Sequence, residues 1–399
     1  MQDIEMLLFI LTFLLAGALA QVTLDPKDLE NIFGKPPTTP SGLETVTVKP
    51  TDATTTFVDK NGQACKCVPY YLCTADLTGE HVRNASVTGW GELDIRFGEE
   101  DNCQESVEKC CTEPKTEEEV KVPETDPVTL KGCGYRNPKG LDFTIKGGSG
   151  RESQFGEFPW VVALTALNDS YVGVGVLIHP QVVMTGAHIA YKYPNNMKIR
   201  AGEWDTQTTG ERLKHQERIV QEMVIHPGFN KVNLFNDIAL LRLAEPVKLA
   251  EHINVICLPS QDESFDTKKK CVANGWGKAF FGKEGSYAVI LKKLEIDMVP
   301  NAQCQQLLRR TRLGNHFKLH NSFVCAGGEE GKDTCTGDGG APLACPVSED
   351  RYKLTGLVAW GIGCGGKDIP AVYAGVPFFR NWVDTHMKNW GYDTKGYTI

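Results

Sequence analysis

Three short segments hold the residue types that could carry chemistry. In chain order they read TGAH (Thr185–His188), NDIALLRL (Asn236–Leu243) and CTGDGGAP (Cys335–Pro342). Histidine and aspartate side chains accept and donate protons in many active sites. Because the segments lie far apart in the chain, a site built from them needs a fold that brings distant residues together.

The region from about Gly147 to Ile399 resembles the chymotrypsin-like serine proteases. The resemblance rests on motifs in the family's order, namely GEFPW, TGAH, NDIALL, ICLP, GWG, GDGGAP and AWGIGC, followed by a C-terminal helix. It implies a mostly β fold, a chymotrypsin-like double β-barrel with six strands in each barrel and a cleft between them. Short apolar runs such as Val161–Leu167 and Leu354–Trp360 by themselves favour antiparallel barrels or a sandwich, in agreement with this fold class. Only Pro377–Lys388 is predicted to be helical.

The family's mechanism uses a serine nucleophile, a histidine that takes its proton and a buried aspartate that orients the histidine. By position, the resemblance assigns the histidine to His188 and the aspartate to Asp237. The serine of the family's GDSGGP motif is replaced by Gly339, which has no side chain. Loss of the nucleophile lowers turnover by roughly 10⁶. We therefore expect that the protein is not an enzyme, and a working trypsin-like endopeptidase is the remote alternative.

Other departures from the family agree with this expectation. Ala359 stands where the family usually has a serine that hydrogen-bonds the triad aspartate. The disulfide that brackets the family's catalytic histidine is also missing, because its expected positions fall near Gly173 and at Ile189.

The resemblance also predicts what remains of the cleft. The N–H groups of Gly337 and Gly339 would form a remnant oxyanion hole. Asp333 would form the acidic base of a trypsin-type pocket that receives Lys or Arg, and the alternative is a remnant or surface acid. The strand at Trp360 and Gly361 would accept an extended peptide by β-augmentation. The remaining pocket residues are predicted to be Trp360, Gly361 and Ala371.

The 14 cysteines form an even set, which predicts disulfides in an exported chain. Spacing alone leaves many pairings open among the first six. These six resemble a clip domain, which ends in adjacent cysteines, as Cys110 and Cys111 do, and precedes a protease domain. The two resemblances together imply the pairs Cys65–Cys110, Cys67–Cys103, Cys73–Cys111, Cys133–Cys257, Cys271–Cys345, Cys304–Cys325 and Cys335–Cys364.

A clip domain joined to a nucleophile-free protease domain resembles the clip-domain serine protease homologues of arthropod blood. In that family such proteins are processed by an upstream protease and act as cofactors of prophenoloxidase activation in melanisation. The resemblance implies a secreted, haemolymph protein that regulates an extracellular protease cascade in innate immunity. Its expected partners are the upstream protease and prophenoloxidase or its activating protease, with an oligomer after cleavage. The alternative is a protein that recognises microbial surfaces or glycans.

The chain is predicted to have five consecutive parts. An apolar run, Met6–Ala20, ends in Ala-Leu-Ala and is too short to cross a membrane comfortably, so it is predicted to be a signal peptide rather than a buried helix. The parts are a signal peptide (1–20), a Thr/Pro-rich spacer (21–63), a clip domain (64–112), an acidic linker and processing region (113–146) and a serine protease-like domain (147–399).

Charge is distributed unevenly along the chain. The formal net charge is −8, which disfavours a nucleic-acid binder, and no membrane partner is expected. Residues 65–131 hold 7 basic and 15 acidic side chains, whereas residues 132–399 hold 31 and 27. One basic stretch could be a solvated face or could meet an acidic partner or the acidic clip domain. It consists of Arg309, Arg310, Arg312 and Lys318.

Processing is predicted to differ from that of active proteases. Active members insert a new apolar N-terminus, whose ammonium group pairs with the aspartate before the serine, here Asp338. Counting back from Trp160 places this start at Gly147, where Gly147–Gly150 offers no apolar side chain. We therefore expect cleavage to act by freeing or reorienting the acidic clip domain. Candidate bonds follow Lys121, Lys131, Lys139, Lys146 and Arg151.

Two modifications and one ion are also predicted. The sequons at Asn84 and Asn168 predict N-glycosylation. Residues Gly202–Glu211 align with a loop that binds calcium in some relatives, and the alternative is a solvated acidic loop. We expect that the protein requires no cofactor, and structural calcium would be held by the hard oxygens of Glu203, Asp205 and Glu211.

Overall fold

A computed structural model describes residues 56–58, 64–73, 92–94, 103, 107–112, 114–116, 132–142, 144–146, 150–194, 196–265, 270–278, 287–334 and 337–399. All of them belong to one compact unit, Thr55–Ile399. The predicted signal peptide, most of the spacer, Asn84 and the linker from 117 to 131 lie outside the described residues. Within the described ranges, no helix combines the length and the apolar character that a bilayer crossing requires.

The cysteine-rich part forms a small antiparallel sheet. The first five strands are β1 (Thr56–Val58), β2 (Ala64–Pro69), β3 (Glu92–Asp94), β4 (Glu108–Cys111) and β5 (Thr144–Lys146). β1, β2 and β4 are neighbours in that order, and β3 pairs with β5 in parallel. The clip sheet therefore begins before residue 64, inside the segment predicted to be spacer, because the β-branched residues of β1 pair with β2.

The next six strands close into a barrel. They are β6 (Val161–Ala166), β7 (Tyr171–His179), β8 (Val182–Thr185), β9 (Met197–Ala201), β10 (Gln216–Ile225) and β11 (Ala239–Leu243). Their order is β10-β11-β8-β7-β6-β9. Alternation along β6 explains why every residue in it is buried. Val162 and Leu164 join one apolar cluster, whereas Val161 and Ala163 join the cluster that is shared with the second barrel.

A second group of six strands also closes. They are β12 (Lys270–Gly275), β13 (Lys292–Val299), β14 (Phe323–Gly327), β15 (Pro342–Ser348), β16 (Arg351–Trp360) and β17 (Pro370–Gly375). Their order is β12-β13-β14-β17-β16-β15. The two six-stranded barrels and the N-terminal clip domain confirm the predicted fold class.

Three α-helices occur among the described residues, α1 (Ala187–Lys192), α2 (Asn301–Arg309) and α3 (Val376–Asn389). The prediction of a single helix near the C-terminus was therefore wrong. α3 has the predicted proline in its first turn. The pattern missed α1 because it is only six residues long. It missed α2 because that helix buries only Cys304 and Leu308.

Disulfides link these parts of the chain. Besides the six bridges named below, Cys364 is disulfide-bonded, and its predicted partner Cys335 lies outside the described residues. The six bridges between described cysteines are Cys65–Cys110, Cys67–Cys103, Cys73–Cys111, Cys133–Cys257, Cys271–Cys345 and Cys304–Cys325.

The clip domain packs on the first barrel through a buried polar network. The Tyr70 hydroxyl donates to Asp142 Oδ2 at 2.7 Å, and Arg212 donates to both oxygens of Asp142. Tyr70 and Asp142 are both buried, and burial together with the Asp142 charge raises the pKa of Tyr70. Val107 lies directly against Gly210, where even a Cβ atom would collide with it. A charged pair and a close apolar contact thus hold the two domains together.

We expect Asp142→Ala to weaken this contact much more than Tyr70→Phe. The first change leaves Arg212 buried without its counter-charge, which costs about 3–5 kcal/mol. The second removes one hydrogen bond and costs about 1–2 kcal/mol. Urea unfolding measures the loss of stability, and the rate of tryptic cleavage reports the release of the clip domain. Equal effects of the two changes would show that the ion pair is not what holds the domains together.

Candidate functional site

His188 and Asp237 form a close pair on the first barrel. His188 lies in the first turn of α1, and Asp237 precedes β11. The backbone N–H of His188 donates to Asp237 Oδ1 at 2.8 Å, and His188 Nδ1 lies 2.6 Å from Asp237 Oδ2. Because an ionised carboxylate only accepts hydrogen bonds, Nδ1 carries the proton. Asp237 is fully buried, so the histidine ring is held with Nε2 directed away from it.

The second barrel brings Gly339 to the free side of the histidine. A Cβ atom built on Gly339 would lie 2.6 Å from His188 Nε2 and 3.3 Å from Ile189 Cδ1. A side chain at this position would therefore point at the histidine ring. No hydroxyl or thiol within the described part of the chain hydrogen-bonds to Nε2.

Packing occupies the place where the family's bracketing disulfide would lie. A Cβ atom on Gly173 would lie 3.1 Å from Ile189 Cδ1, and Ile189 itself is buried. The N–H of Val174 donates to the carbonyl of Gly339 at 3.1 Å. The loss of both cysteines was visible in the sequence, but the apolar contact that replaces them was not.

The loop before Gly339 is fixed by two hydrogen bonds. The N–H of Gly277 donates to Asp338 Oδ1 at 2.8 Å, and the Tyr171 hydroxyl donates to the carbonyl of Gly337 at 2.9 Å. Sequence reasoning did not identify Tyr171. Among hydrogen bonds between described residues, none uses the N–H of Gly337 or of Gly339. Neither N–H group of the predicted oxyanion-hole remnant is thus used within the described part of the chain.

Asp333 is a half-buried carboxylate in the loop after β14. Its Oδ2 accepts a hydrogen bond from the N–H of Gly365 at 3.0 Å, whereas its buried Oδ1 has no partner among the described residues. Burial raises the pKa of Asp333 to about 6. The next residue, Thr334, has its hydroxyl 3.3 Å from that of Tyr373, so this loop contacts β17.

The other predicted pocket residues lie on β16 and β17. Trp360, the last residue of β16, pairs with Val372, which directly follows Ala371 on β17. Gly361 is exposed immediately beyond β16. The structure thus brings the predicted walls together on adjacent strands, at the end of β16 that is next to the Asp333 loop.

The three carboxylates predicted for calcium are buried, not solvated. Their exposed fractions are 5 % for Glu203, 1 % for Asp205 and 5 % for Glu211, so the alternative of a solvated acidic loop is wrong. Burial, reinforced by the charge of Glu211, raises the pKa of Glu203 to about 8. Burial raises the pKa of Glu211 to about 7, and the charge of Asp205 adds to this effect.

Glu203 and Glu211 each have their own neighbouring partners in the fold. Glu203 Oε2 lies 3.6 Å from Arg200 Nη1 and 3.5 Å from His215 Nδ1, and Glu211 Oε1 accepts a hydrogen bond from the N–H of Asp205. Among the described residues, these three side chains do not form a set whose oxygens converge as the ligands of one ion would. The donor set as it stands does not fit calcium, and calcium binding stays a prediction.

Asn168 lies on the exposed turn between β6 and β7, and we expect it to carry a glycan. Its side-chain oxygen accepts a hydrogen bond from the Ser170 hydroxyl at 2.8 Å, and Asp169 takes a positive φ of 66° in the turn. Protein secreted from insect cells should therefore lose mass on treatment with a glycosidase. Ser170→Ala keeps Asn168 but destroys the sequon, and the glycan on this peptide should disappear. An unmodified Asn168 peptide in the parent protein would contradict the prediction.

Comparison with known proteins agrees with this geometry. A family model described as Trypsin matches residues 148–383, and one described as Serine protease Clip domain PPAF-2 matches residues 54–112. Phenoloxidase-activating factor 2 from Galleria mellonella is 48 % identical over 299 residues, which cover 69 % of this chain and 98 % of that protein.

Two mosquito proteins extend the match over more of the chain. Inactive CLIP domain-containing serine protease A8 from Anopheles gambiae is 39 % identical, covering 81 % of this chain and 88 % of that protein. Inactive CLIP domain-containing serine protease A28 from the same species is 37 % identical, covering 80 % and 88 %. The chain belongs to the trypsin family and, with its N-terminal clip domain, it is a clip-domain serine protease homologue.

Proposed function

We propose that this protein is a secreted, catalytically inactive regulator of an extracellular protease cascade, and that the cascade activates prophenoloxidase in melanisation. One observation carries the proposal: His188 and Asp237 are paired, but the residue that faces His188 Nε2 is Gly339. A general base without a nucleophile cannot form an acyl-enzyme. The names of the relatives, a phenoloxidase-activating factor and inactive clip proteases, support the same function.

The cleft retains groups that suit binding without turnover. Asp333 offers a partly desolvated carboxylate for a cationic side chain of a partner. The N–H groups of Gly337 and Gly339 would donate hydrogen bonds to a carbonyl oxygen, and the strand end at Gly361 would pair with an extended chain. We infer that an upstream protease, together with prophenoloxidase or its activating protease, is bound here.

Secretion is part of the proposal. The disulfides of the clip domain and barrels form and persist in oxidising compartments. The clip sheet is too small to rely on an apolar core, and each bridge contributes about 2–4 kcal/mol to it. Proteolytic processing before the barrels and assembly into an oligomer afterwards complete the proposed activity.

The test is a purified system of prophenoloxidase, its activating protease and the processed protein. The parent protein should raise phenoloxidase activity, and it should remain unlabelled by a fluorophosphonate probe. Asp333→Asn removes the pocket charge and should reduce the stimulation, whereas Asp393→Asn, at an exposed position near the C-terminus, should not. Labelling by the probe would contradict inactivity. Binding to microbial surfaces without any change in phenoloxidase activation would contradict the cofactor function.

A further inference from the structure

An exposed basic surface follows α2, and we call it the basic rim. Pro300–Gly328 contains no aspartate or glutamate. Within the described residues, no basic side chain of the rim forms an ion pair. Arg309 is half-buried and the other four side chains are exposed. The rim consists of Arg309, Arg310, Arg312, His316 and Lys318.

The rim differs from the rest of the barrels in that its basic side chains are clustered in one short segment without acidic residues. Elsewhere in the barrels, many cations have carboxylate partners, for example Lys270 with Asp297 at 3.0 Å and Lys353 with Glu263 at 2.9 Å. Because the rim lacks such partners, its positive field is not cancelled at short range and acts on molecules outside the protein.

The rim is also held rigidly against the cleft. The Cys304–Cys325 disulfide joins α2 to β14. Arg309 Nε donates to the carbonyl of Phe317 at 2.9 Å, and the Phe317 ring packs edge-on against Trp360 with centroids 6.1 Å apart. A preorganised surface loses less conformational entropy when it binds a partner.

The edge of the cleft is continuous with the rim. Gly361 follows Trp360, is exposed, and none of its backbone groups forms a hydrogen bond with another described residue. An extended chain that pairs with this strand end would pass Trp360 and Phe317 and reach the rim. Backbone pairing of this kind requires a polypeptide, whereas a sulfated glycan could satisfy only the cations.

We propose that the basic rim binds an extended acidic segment of a partner protein, whose adjoining residues lie along the cleft at Gly361. This inference rests on the proposed function, because it assumes that the cleft binds a polypeptide without cleaving it. The basic rim would recognise the acidic side chains of the segment, and Gly361 would pair with the backbone of its adjoining residues.

The test uses the full chain and a fluorescein-labelled peptide that alternates Glu with Ser. Anisotropy should show binding that weakens as salt is raised. The triple change Arg310→Ala, Arg312→Ala and Lys318→Ala should weaken binding about tenfold, because three exposed ion pairs are lost. A matched control removes three exposed lysines elsewhere and should leave affinity unchanged. The control residues are Lys248, Lys388 and Lys395.

Two outcomes would overturn the proposal. Equal loss of peptide binding in both triple variants would show that net charge, not the rim, attracts the peptide. Rim-dependent binding of heparin with no binding of the peptide would assign the surface to sulfated glycans. The peptide-binding experiment contains no protease or prophenoloxidase. If the peptide does not bind, the cascade assay with Asp333→Asn still tests the proposed function independently.

Discussion

Replacing Gly340 with alanine is expected to destabilise the protein by about 3–5 kcal/mol, in the range of the most damaging single substitutions. Gly340 has a φ of 75°, in the left-handed region that side chains rarely adopt. A Cβ atom there would overlap Thr185 Oγ1 and lie 2.5 Å from the carbonyl oxygen of Val174. Thr185 is buried and already donates to that carbonyl, so neither group can move aside without breaking the hydrogen bond.

Gly339→Ala is the matched control, one residue away. Its Cβ atom would meet Nε2, the end of the His188 ring that faces away from Asp237; this side chain is 25 % exposed and can tilt aside, so we expect a loss of about 1 kcal/mol. Urea unfolding followed by tryptophan fluorescence measures both variants. If Gly339→Ala proves as damaging as Gly340→Ala, the histidine ring cannot move aside, and the left-handed backbone and close contacts of Gly340 do not distinguish the two positions.

The two buried glutamates near the clip contact should make stability fall as the pH rises. Their pKa values in the fold, about 8 for Glu203 and about 7 for Glu211, lie above the ordinary value of 4.5. A carboxyl whose pKa is raised by folding stabilises the fold fully below the ordinary value. That contribution is lost as the pH rises through the raised value. Between pH 5 and pH 8 each group should remove about 1.4 kcal/mol per pH unit until it ionises.

Thermal and urea unfolding across this range, with Glu203→Gln and Glu211→Gln together, provide the measurement. The double variant should lose most of the pH dependence and be more stable than the parent at pH 8. Glu217→Gln is the control, because hydrogen bonds from Lys198 and Arg200 outweigh partial burial and lower the pKa of Glu217. A parent protein that is equally stable at pH 5 and pH 8 would contradict the burial of neutral carboxyls. Calcium that stabilises the parent at pH 8, but not the double variant, would support the predicted calcium site.

The sequence predicted the architecture because its motifs specify positions along both barrels. The histidine in TGAH, the aspartate in NDIALL and the glycine in GDGGAP were expected at one site, and they lie within a few ångströms of one another. Each motif is a short contiguous segment, so its residues can be matched to the motifs of a family from the sequence alone. The end of the spacer was harder to place, since a threonine-rich stretch resembles both a linker and the strand β1.

Contacts between distant residues could not be derived in this way. Tyr70 and Asp142 are 72 positions apart, and nothing in either neighbourhood indicates that they meet. The acidity of the loop around Glu203 suggested solvation, yet the packing of the first barrel and the clip domain buries it. Ion pairing of the arginines that follow α2 also depends on which carboxylates the fold brings near them. The local sequence does not contain that information.

The bond after Lys146 is spanned by two attachments that survive its hydrolysis, because Cys133 and Asp142 precede it and their partners Cys257 and Arg212 follow it. Residues 132–146 would stay linked to the barrels through Cys133–Cys257, and Asp142 would still hold Tyr70 and Arg212. A protein nicked there would migrate as one species on a non-reducing gel and as two under reduction. The clip domain would remain attached to a two-chain molecule, so hydrolysis of that bond would expose new chain ends without releasing either chain.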